Sequence, residues 1–253
     1  MFLKNINTYV TFLVLAVSLL VCSPARAFFP SDEELNDTMY HNYGALTSYE
    51  AVLTFPSEPG TKLAIFRGHD HWQQTYTSSE VSNSTVTAKA VGQYFKPIAQ
   101  CPANAGMPVP VLQIWAPDDP VSDWMSIGAT NATKSYGFYE ETPVFVFGAE
   151  PGDDVSPQVW LDNETFAPLK IVLGEGRAIT FGTYSKFAGF MLPHSGTINV
   201  GDEVIDFRVE WKGIRKKISP SVFSATVIKK QSGCTVPSGG VFEMLKNCLR
   251  LNQ

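Results

Sequence analysis

The chain has 253 residues and a formal net charge of −5, with 44% hydrophobic, 17% charged and 12% aromatic residues, a balance that excludes a disordered or collagen-like polymer. It is too acidic and too poor in lysine and arginine for a nucleic-acid binder. The first segment reads as a secretory signal peptide. Lys4 supplies a charged start, residues 10–21 are apolar except Thr11 and Ser18, and Ala25-Arg26-Ala27 gives an A-x-A cleavage site.

Cleavage after Ala27 leaves 226 residues (253 − 27) starting at Phe28, and the loss of Lys4 and Arg26 moves the charge from −5 to −7. Cys22 loosely resembles the cysteine of a bacterial lipobox, but Val21 stands where such boxes want a small residue. Nothing after residue 27 is long and apolar enough to span a bilayer. The expected product is soluble in an exported compartment, the periplasm.

Taken in chain order, Ser31 is the expected N-cap of a first helix, with Glu34 at the capping-box position and acids in the first turn; Gly44 ends it. From residue 48 the period becomes two: Tyr49, Ala51, Leu53 and Phe55 alternate with Ser48, Glu50 and Thr54. Strands over 62–67 and 71–77 complete a meander. Residues 78–133 read as an insertion punctuated by prolines, with a helix over 86–94, a short strand over 109–115 and an apolar plug at 124–127. Strands resume at 135–139, 144–147, 158–161, 169–173 and 179–184, joined by tight-turn sequences at 151–154, 162–165 and 174–176. The last two, 192–200 and 203–211, flank a Gly201-Asp202 hairpin. A short helix over 241–249 closes the chain.

These elements predict one α+β domain: a curved antiparallel sheet, a half-open barrel of about nine strands, with helices covering its concave face. The expected organisation is a signal peptide over 1–27, a domain over 28–225 carrying the insertion at 78–133, and a tail over 226–253. Of the three cysteines left after cleavage, Cys234 and Cys248 are the expected disulfide, closing a short loop for about 3 kcal/mol in the chain-entropy model. The alternative is three free buried thiols, Cys101 included.

Three stretches carry a resemblance. The block from Trp160-Leu161-Asp162 through Thr165 to Pro168 resembles the "W-[LI]-D-x-x-[TS]-x-x-P" hairpin of periplasmic lipoprotein carriers and outer-membrane lipoprotein-sorting proteins, the LolA/LolB-like half-barrels. Tyr184, Gly189 and Leu192-Pro193 are similar to that family's "Y…G…[FL]-P" strand, and Ile218 to Phe223 to its "I-x-x-x-x-F" ending. The resemblance spans 31–77 by order of elements and 135–224 by motif. It implies a half-open barrel plugged by helices, with an apolar cavity for acyl chains or another lipophilic group. The carriers' cavity-controlling arginine has no motif-matched position here; Arg67, in the second strand, is the candidate.

Little else suggests chemistry. His69-Asp70-His71 has a spacing that metal sites use, and the competing reading is a polar turn. His194 and Ser195 are adjacent, so they face opposite sides of a strand, and no G-x-S-x-G elbow exists. Gly174-Glu175-Gly176 is a turn rather than a phosphate loop. Sequons occur at Asn36, Asn83, Asn131 and Asn163.

The aromatic load of the strands is the main functional signal. The expected ligand-binding residues are Tyr49, Leu53, Phe55, Ile65, Trp72, Phe145, Phe147, Trp160, Ile205, Phe207, Val209 and Trp211. They would line an apolar cavity of roughly 300–1,000 Å³ if the core leaves it open. The expected function is a non-enzymatic, exported protein that binds a lipid, acyl chain or lipoprotein, without a cofactor, and takes part in envelope lipoprotein sorting. One alternative is an envelope interaction or sensor module that recognises a protein partner on a filled core. A second is a metal-dependent enzyme using His69 and His71.

Overall fold

Period-two alternation requires a sheet with one dry face, and the computed structural model of the chain shows that sheet. It describes residues 29–78, 85–93, 96–101, 108–115, 117–214, 220–232, 234 and 238–250, with the side chains at 85–88, 93, 96 and 220 left aside. The expected signal peptide, Cys22 and Asn83 lie outside these residues. Met1–Pro30 forms one unit and Ser31–Gln253 another; the helices and strands described below belong to the second.

Helix α1, Asp32–Tyr43, starts at the expected capping box: Ser31 Oγ accepts from Glu34 N at 3.1 Å and Glu34 Oε2 accepts from Ser31 N at 2.8 Å. Twelve strands follow: β1 Tyr49–Thr54, β2 Lys62–Arg67, β3 His71–Thr77, β4 Thr85–Gln93, β5 Lys96–Cys101, β6 Lys134–Tyr139, β7 Thr142–Phe147, β8 Gln158–Asp162, β9 Pro168–Gly174, β10 Arg177–Phe187, β11 Phe190–Val200 and β12 Glu203–Ile214. They make one curved, open antiparallel sheet in the order β5-β4-β3-β2-β1-β12-β11-β10-β9-β8-β7-β6.

The sheet has twelve strands rather than about nine, and the two that were not expected, β4 and β5, come from the stretch read as an insertion. Of the 86–94 span expected as a helix, 86–93 lie instead in β4, paired with β3 from His71↔Val91 to Thr77↔Thr85, and Tyr94 falls outside the described residues. Thr85, Val86, Thr87 and Val91 are β-branched, and a ready partner edge outweighs the helix preference of Ala88 and Ala90. Conversely, 109–115 is not a strand. Helix α2, Val111–Trp115, occupies it, and Pro120–Ser126 forms α3, capped by Asp119 and placing Trp124 inside. Both helices ride on the link that joins one edge of the sheet, β5, to the other, β6.

Register explains how the core becomes continuous. Directly opposed residues share a face, and one layer runs Phe145↔Leu161, Phe147↔Val159, Val159↔Ile171, Ile171↔Ile179, Ile179↔Ile198 and Ile198↔Ile205. It carries on through Leu53↔Val209, Ala51↔Trp211 and Ala51↔Ile65. Against it pack Leu35 and Met39 of α1, all of α2 but Gln113, Val121 and Trp124 of α3, and Val241, Phe242 and Leu245 of α5, Gly240–Leu249.

The opposite face is covered only locally. A 3-10 turn, Pro220–Phe223, and α4, Ala225–Lys230, set Phe223 and Ile228 over Phe66, Ala99 and Cys101. Here the disulfide expected between Cys234 and Cys248 is corrected. Cys234 bonds to Cys101, with Cα atoms 5.6 Å apart, while Cys248 is a free thiol buried in α5. Helix α5 turns Cys248 into the main core, and burial pushes its pKa up to about 12.

Candidate ligand-binding face

Of the twelve residues expected to line a site, nine lie together in the main core: Tyr49, Leu53, Phe55, Ile65, Phe145, Phe147, Phe207, Val209 and Trp211. Ile205 packs against that core while half-buried. Trp72 is buried on the same side, opposite Arg67 across β2 and β3. Trp160 is the exception. Its neighbours Val159 and Leu161 point into the core, so alternation sends Trp160 to the far face, beneath the Lys170 ammonium at 4.7 Å.

The lining is packed. Phe181 and Phe207 meet edge to face at 6.3 Å over Gly196, which stands between them in β11. A Cβ on Gly196 would lie 2.4 Å from the Phe207 ring and 2.2 Å from the Thr180 carbonyl, so only glycine permits that meeting. Trp115 of α2 sits 5.0 Å from Tyr43 and 6.0 Å from Trp211, and Tyr49 closes on Trp211 at 5.2 Å.

Polar atoms fix this aromatic stack to the sheet. Trp115 Nε1 donates to Tyr184 Oη at 2.9 Å, Tyr184 Oη donates to the Pro168 carbonyl, and Trp211 Nε1 donates to the Pro193 carbonyl at 2.9 Å. Burial holds both phenols protonated, that of Tyr43 up to about 12 with Asp162 adding to the effect, and that of Tyr184 well above its usual range. They serve as hydrogen-bonding posts.

The W-L-D-x-x-T stretch has a structural task. Asp162 Oδ1 accepts from Glu164 N, Thr165 N and Thr165 Oγ1, which tightens the β8–β9 turn, and Asn42 Nδ2 at the end of α1 donates to the Thr165 carbonyl at 2.9 Å. The other end of α1 is tied through Asp32 to Lys134 at 2.9 Å and to Asn131 at 2.9 Å. The hydrogen bond from Lys134 keeps the Asp32 carboxyl below its ordinary pKa against the opposing effect of burial.

Arg67 is the residue whose place alternation marks as unusual. It follows Leu63 and Ile65 on the core face, yet it is charged and only 2% exposed. Its guanidinium lies 5.7 Å from the Tyr49 ring centroid, Nη1 donates to the Leu46 carbonyl at 3.1 Å, and Nη2 pairs with Asp118, a half-exposed residue between α2 and α3. Beside it stands Asp123, whose pKa is raised to about 7 by burial first and by Asp119 and Asp118 next.

The other candidates do not assemble. His71 turns to the far face, where its ring stacks on Phe223 at 4.1 Å and its Nδ1 meets Asp70 at 2.7 Å; His69 is exposed in the turn. Among the described residues no group of three or more His, Cys, Asp or Glu side chains converges as a metal site. Ser195 shares a hydrogen bond with Thr183 rather than with a histidine. Among the same residues no helix is long and apolar enough to cross a membrane.

No family model matches the chain, and no curated protein matches it. Among solved structures it is similar to the crystal structure of a LolA superfamily protein, NE2245 from Nitrosomonas europaea. The TM-score is 0.46 at 10% identity, covering 78% of this chain and 98% of that one.

Proposed function

We propose that the chain is an exported, non-enzymatic binding protein that takes up a lipid, an acyl chain or a lipidated protein between its sheet and the α2–α3 cover. The observation that carries this reading is the way the cover is held. A twelve-stranded sheet turns one continuous apolar face toward α1, α5 and two short helices, α2 and α3, that ride on an edge-to-edge link. That link is tied down by a buried arginine reaching a half-exposed aspartate. Covering such a face with a movable segment, rather than a second sheet, gives an interior that can admit an apolar guest when Arg67 and Asp118 part. Each CH₂ then transferred from water contributes about 0.8 kcal/mol, so a C16 chain would supply ample affinity.

Native mass spectrometry of protein purified from its own host tests the reading. A co-purifying lipid, or uptake of a fluorescent fatty acid by delipidated protein, is the expected result. Protein that carries no lipid and takes up no probe overturns it.

A second reading, an envelope protein-interaction module on a filled core, is favoured by edge strand β6, where Phe138 is 69% exposed. An exposed aromatic on an edge strand is a surface that a partner strand can extend. Capture of a defined envelope partner that is lost in Phe138→Asp, with no lipid present, would favour this reading over the first.

A further inference from the structure

The two edges of the sheet are finished differently. Edge strand β5 carries Pro97, meets β4 through a bulge between Val91 and Gly92, and packs under Ile228 of α4, where Cys101 bonds to Cys234. Proline, a bulge and a covering element are the usual guards against strand addition. Strand β6, at the other end of the strand order, shows none of them among the described residues. Its six residues pair with β7 in unbroken register, none is proline, and its one charge, Lys134, turns to Asp32 at 2.9 Å.

This bare edge presents aromatic rings. Phe138 is 69% exposed and Tyr136 41%; Tyr136 meets Phe145 edge to face at 5.8 Å, and alternation puts Phe138 on the same side. The ladder also fixes which backbone groups face outward. Gly148 N donates to the Thr133 carbonyl at 2.9 Å, whereas the carbonyl of Pro143, opposite Phe138, accepts from Asn163 N at 3.1 Å. Antiparallel alternation therefore commits the backbone groups of 133, 135, 137 and 139 to β7 and turns those of 134, 136 and 138 away from it.

We infer that β6 pairs with β6 of a second copy of this chain, antiparallel about a two-fold axis at Gly137. This rests on the second reading above, in which β6 is a docking edge, and names the occupant. Directly opposed residues share a face. Centring on Gly137 sets Tyr136 of each copy against Phe138 of the other, and brings the Glu140-Glu141 turn of each beside Lys134 of the other. An ammonium has three donors, so Lys134 serves that carboxylate without leaving Asp32. Centring on Tyr136 would set Lys134 against Phe138, and parallel pairing would set lysine against lysine and acidic turn against acidic turn. Charge and aromatic pairing thus select one register, and the two-fold axis satisfies it twice.

One short strand per copy makes a small interface, so the dimer should dissociate with a constant on the order of 10 µM. Sedimentation equilibrium of the full chain from about 1 to about 200 µM should show monomer giving way to twice its mass. Phe138→Asp, at an exposed position, should stay monomeric over that range with its melting temperature unchanged. Gly137→Cys reads the register. A Cβ there meets only Val144, at 3.9 Å, and across the axis the introduced thiols stand on Cα atoms about 4.5 Å apart, within disulfide reach. Mild oxidation should link this variant into dimers and leave Tyr139→Cys, whose opposite residue is Ser135, unlinked. A monomeric wild type, a dimer indifferent to Phe138→Asp, or a dimer that Gly137→Cys does not link overturns the inference. If the monomeric wild type still captures a defined envelope partner through Phe138, the second reading outlives the inference; if it captures none, both fall.

Discussion

The two faces of the sheet are covered in opposite ways. On the far face a small flap, Phe223 and Ile228 over Phe66 and Ala99, is fastened by a covalent bond between Cys101 and Cys234. On the core face a much larger interior is covered by α1, α5, α2 and α3, with the Arg67–Asp118 pair tying the link between α2 and α3 to the sheet. The small cover is therefore permanent under oxidising conditions, while the large one is held by contacts that can reverse. The two covers therefore differ in the kind of tie that holds them to the sheet, covalent on one face and ionic on the other.

The strongest way to break the contrast is to cut the tie. Cys101 and Cys234 are separated by 133 positions, a closure worth about 5 kcal/mol in the chain-entropy model. Replacing both with serine should lower the melting temperature by roughly 10–20 °C, at about 2–4 °C per kcal/mol. It should leave uptake of a fluorescent fatty acid at permissive temperature unchanged. A loss of uptake would show that the flap and the roof are one device. Cys248→Ser touches no disulfide but puts a hydroxyl into the main core, and should cost about 1–3 kcal/mol, less than the loss of the disulfide.

Next in size is the packed core itself. Phe207 is 1% exposed and fills the space over Gly196 against Phe181, so Phe207→Ala should cost about 3–5 kcal/mol. Thermal melting checks it, and a shift of only a degree or two would mean that this part of the layer is open rather than filled.

Asp118→Asn sharpens the comparison directly. The substitution leaves the buried Arg67 guanidinium with a neutral partner, for a loss of about 1–3 kcal/mol. Stopped-flow fluorescence should then show faster entry of a fatty-acid probe. Unchanged entry rates would remove the pair from the opening step.

The smallest effect is one of pH. Asp123 has its folded pKa raised from 3.8 to about 7, so the folded state binds the proton more tightly than the unfolded one. Its stabilising contribution is therefore full below pH about 4 and is lost as pH rises through about 7. Melting temperatures at about pH 5 and about pH 8 should differ in that direction, and Asp123→Asn should flatten that difference. A slope that persists in the variant assigns it to another group.

How much of this the sequence reveals depends on whether the cause is local. The capping box at Ser31 and Glu34 and the alternation of Ala51, Leu53, Val209 and Trp211 are written in neighbouring residues, and the structure contains both. Helix α2 leaves no period to read, because all five of its residues are buried. The disulfide depends on where β5 and the segment after α4 meet, which spacing along the chain does not encode. An inward place for Trp160 follows from its aromatic character alone, whereas its own neighbours, Val159 and Leu161, already claim the inward face. Arg67 carries a usable signal: a charge at the third position of the alternation that begins with Leu63 and Ile65.

The strand order also sets a timetable. The chain's first and last strands meet in mid-sheet, Tyr49 against Ile214, and every other neighbouring pair is consecutive along the chain. Two meanders can therefore form early and independently, each ending in an unpaired strand, while the seam between them waits on closure of almost the whole chain. Until β12 has emerged and docked, β1 is a bare edge open to non-native pairing. That late seam keeps the molecule pliable until its C-terminal third has arrived, and makes the interval before zipping its period of greatest exposure to aggregation.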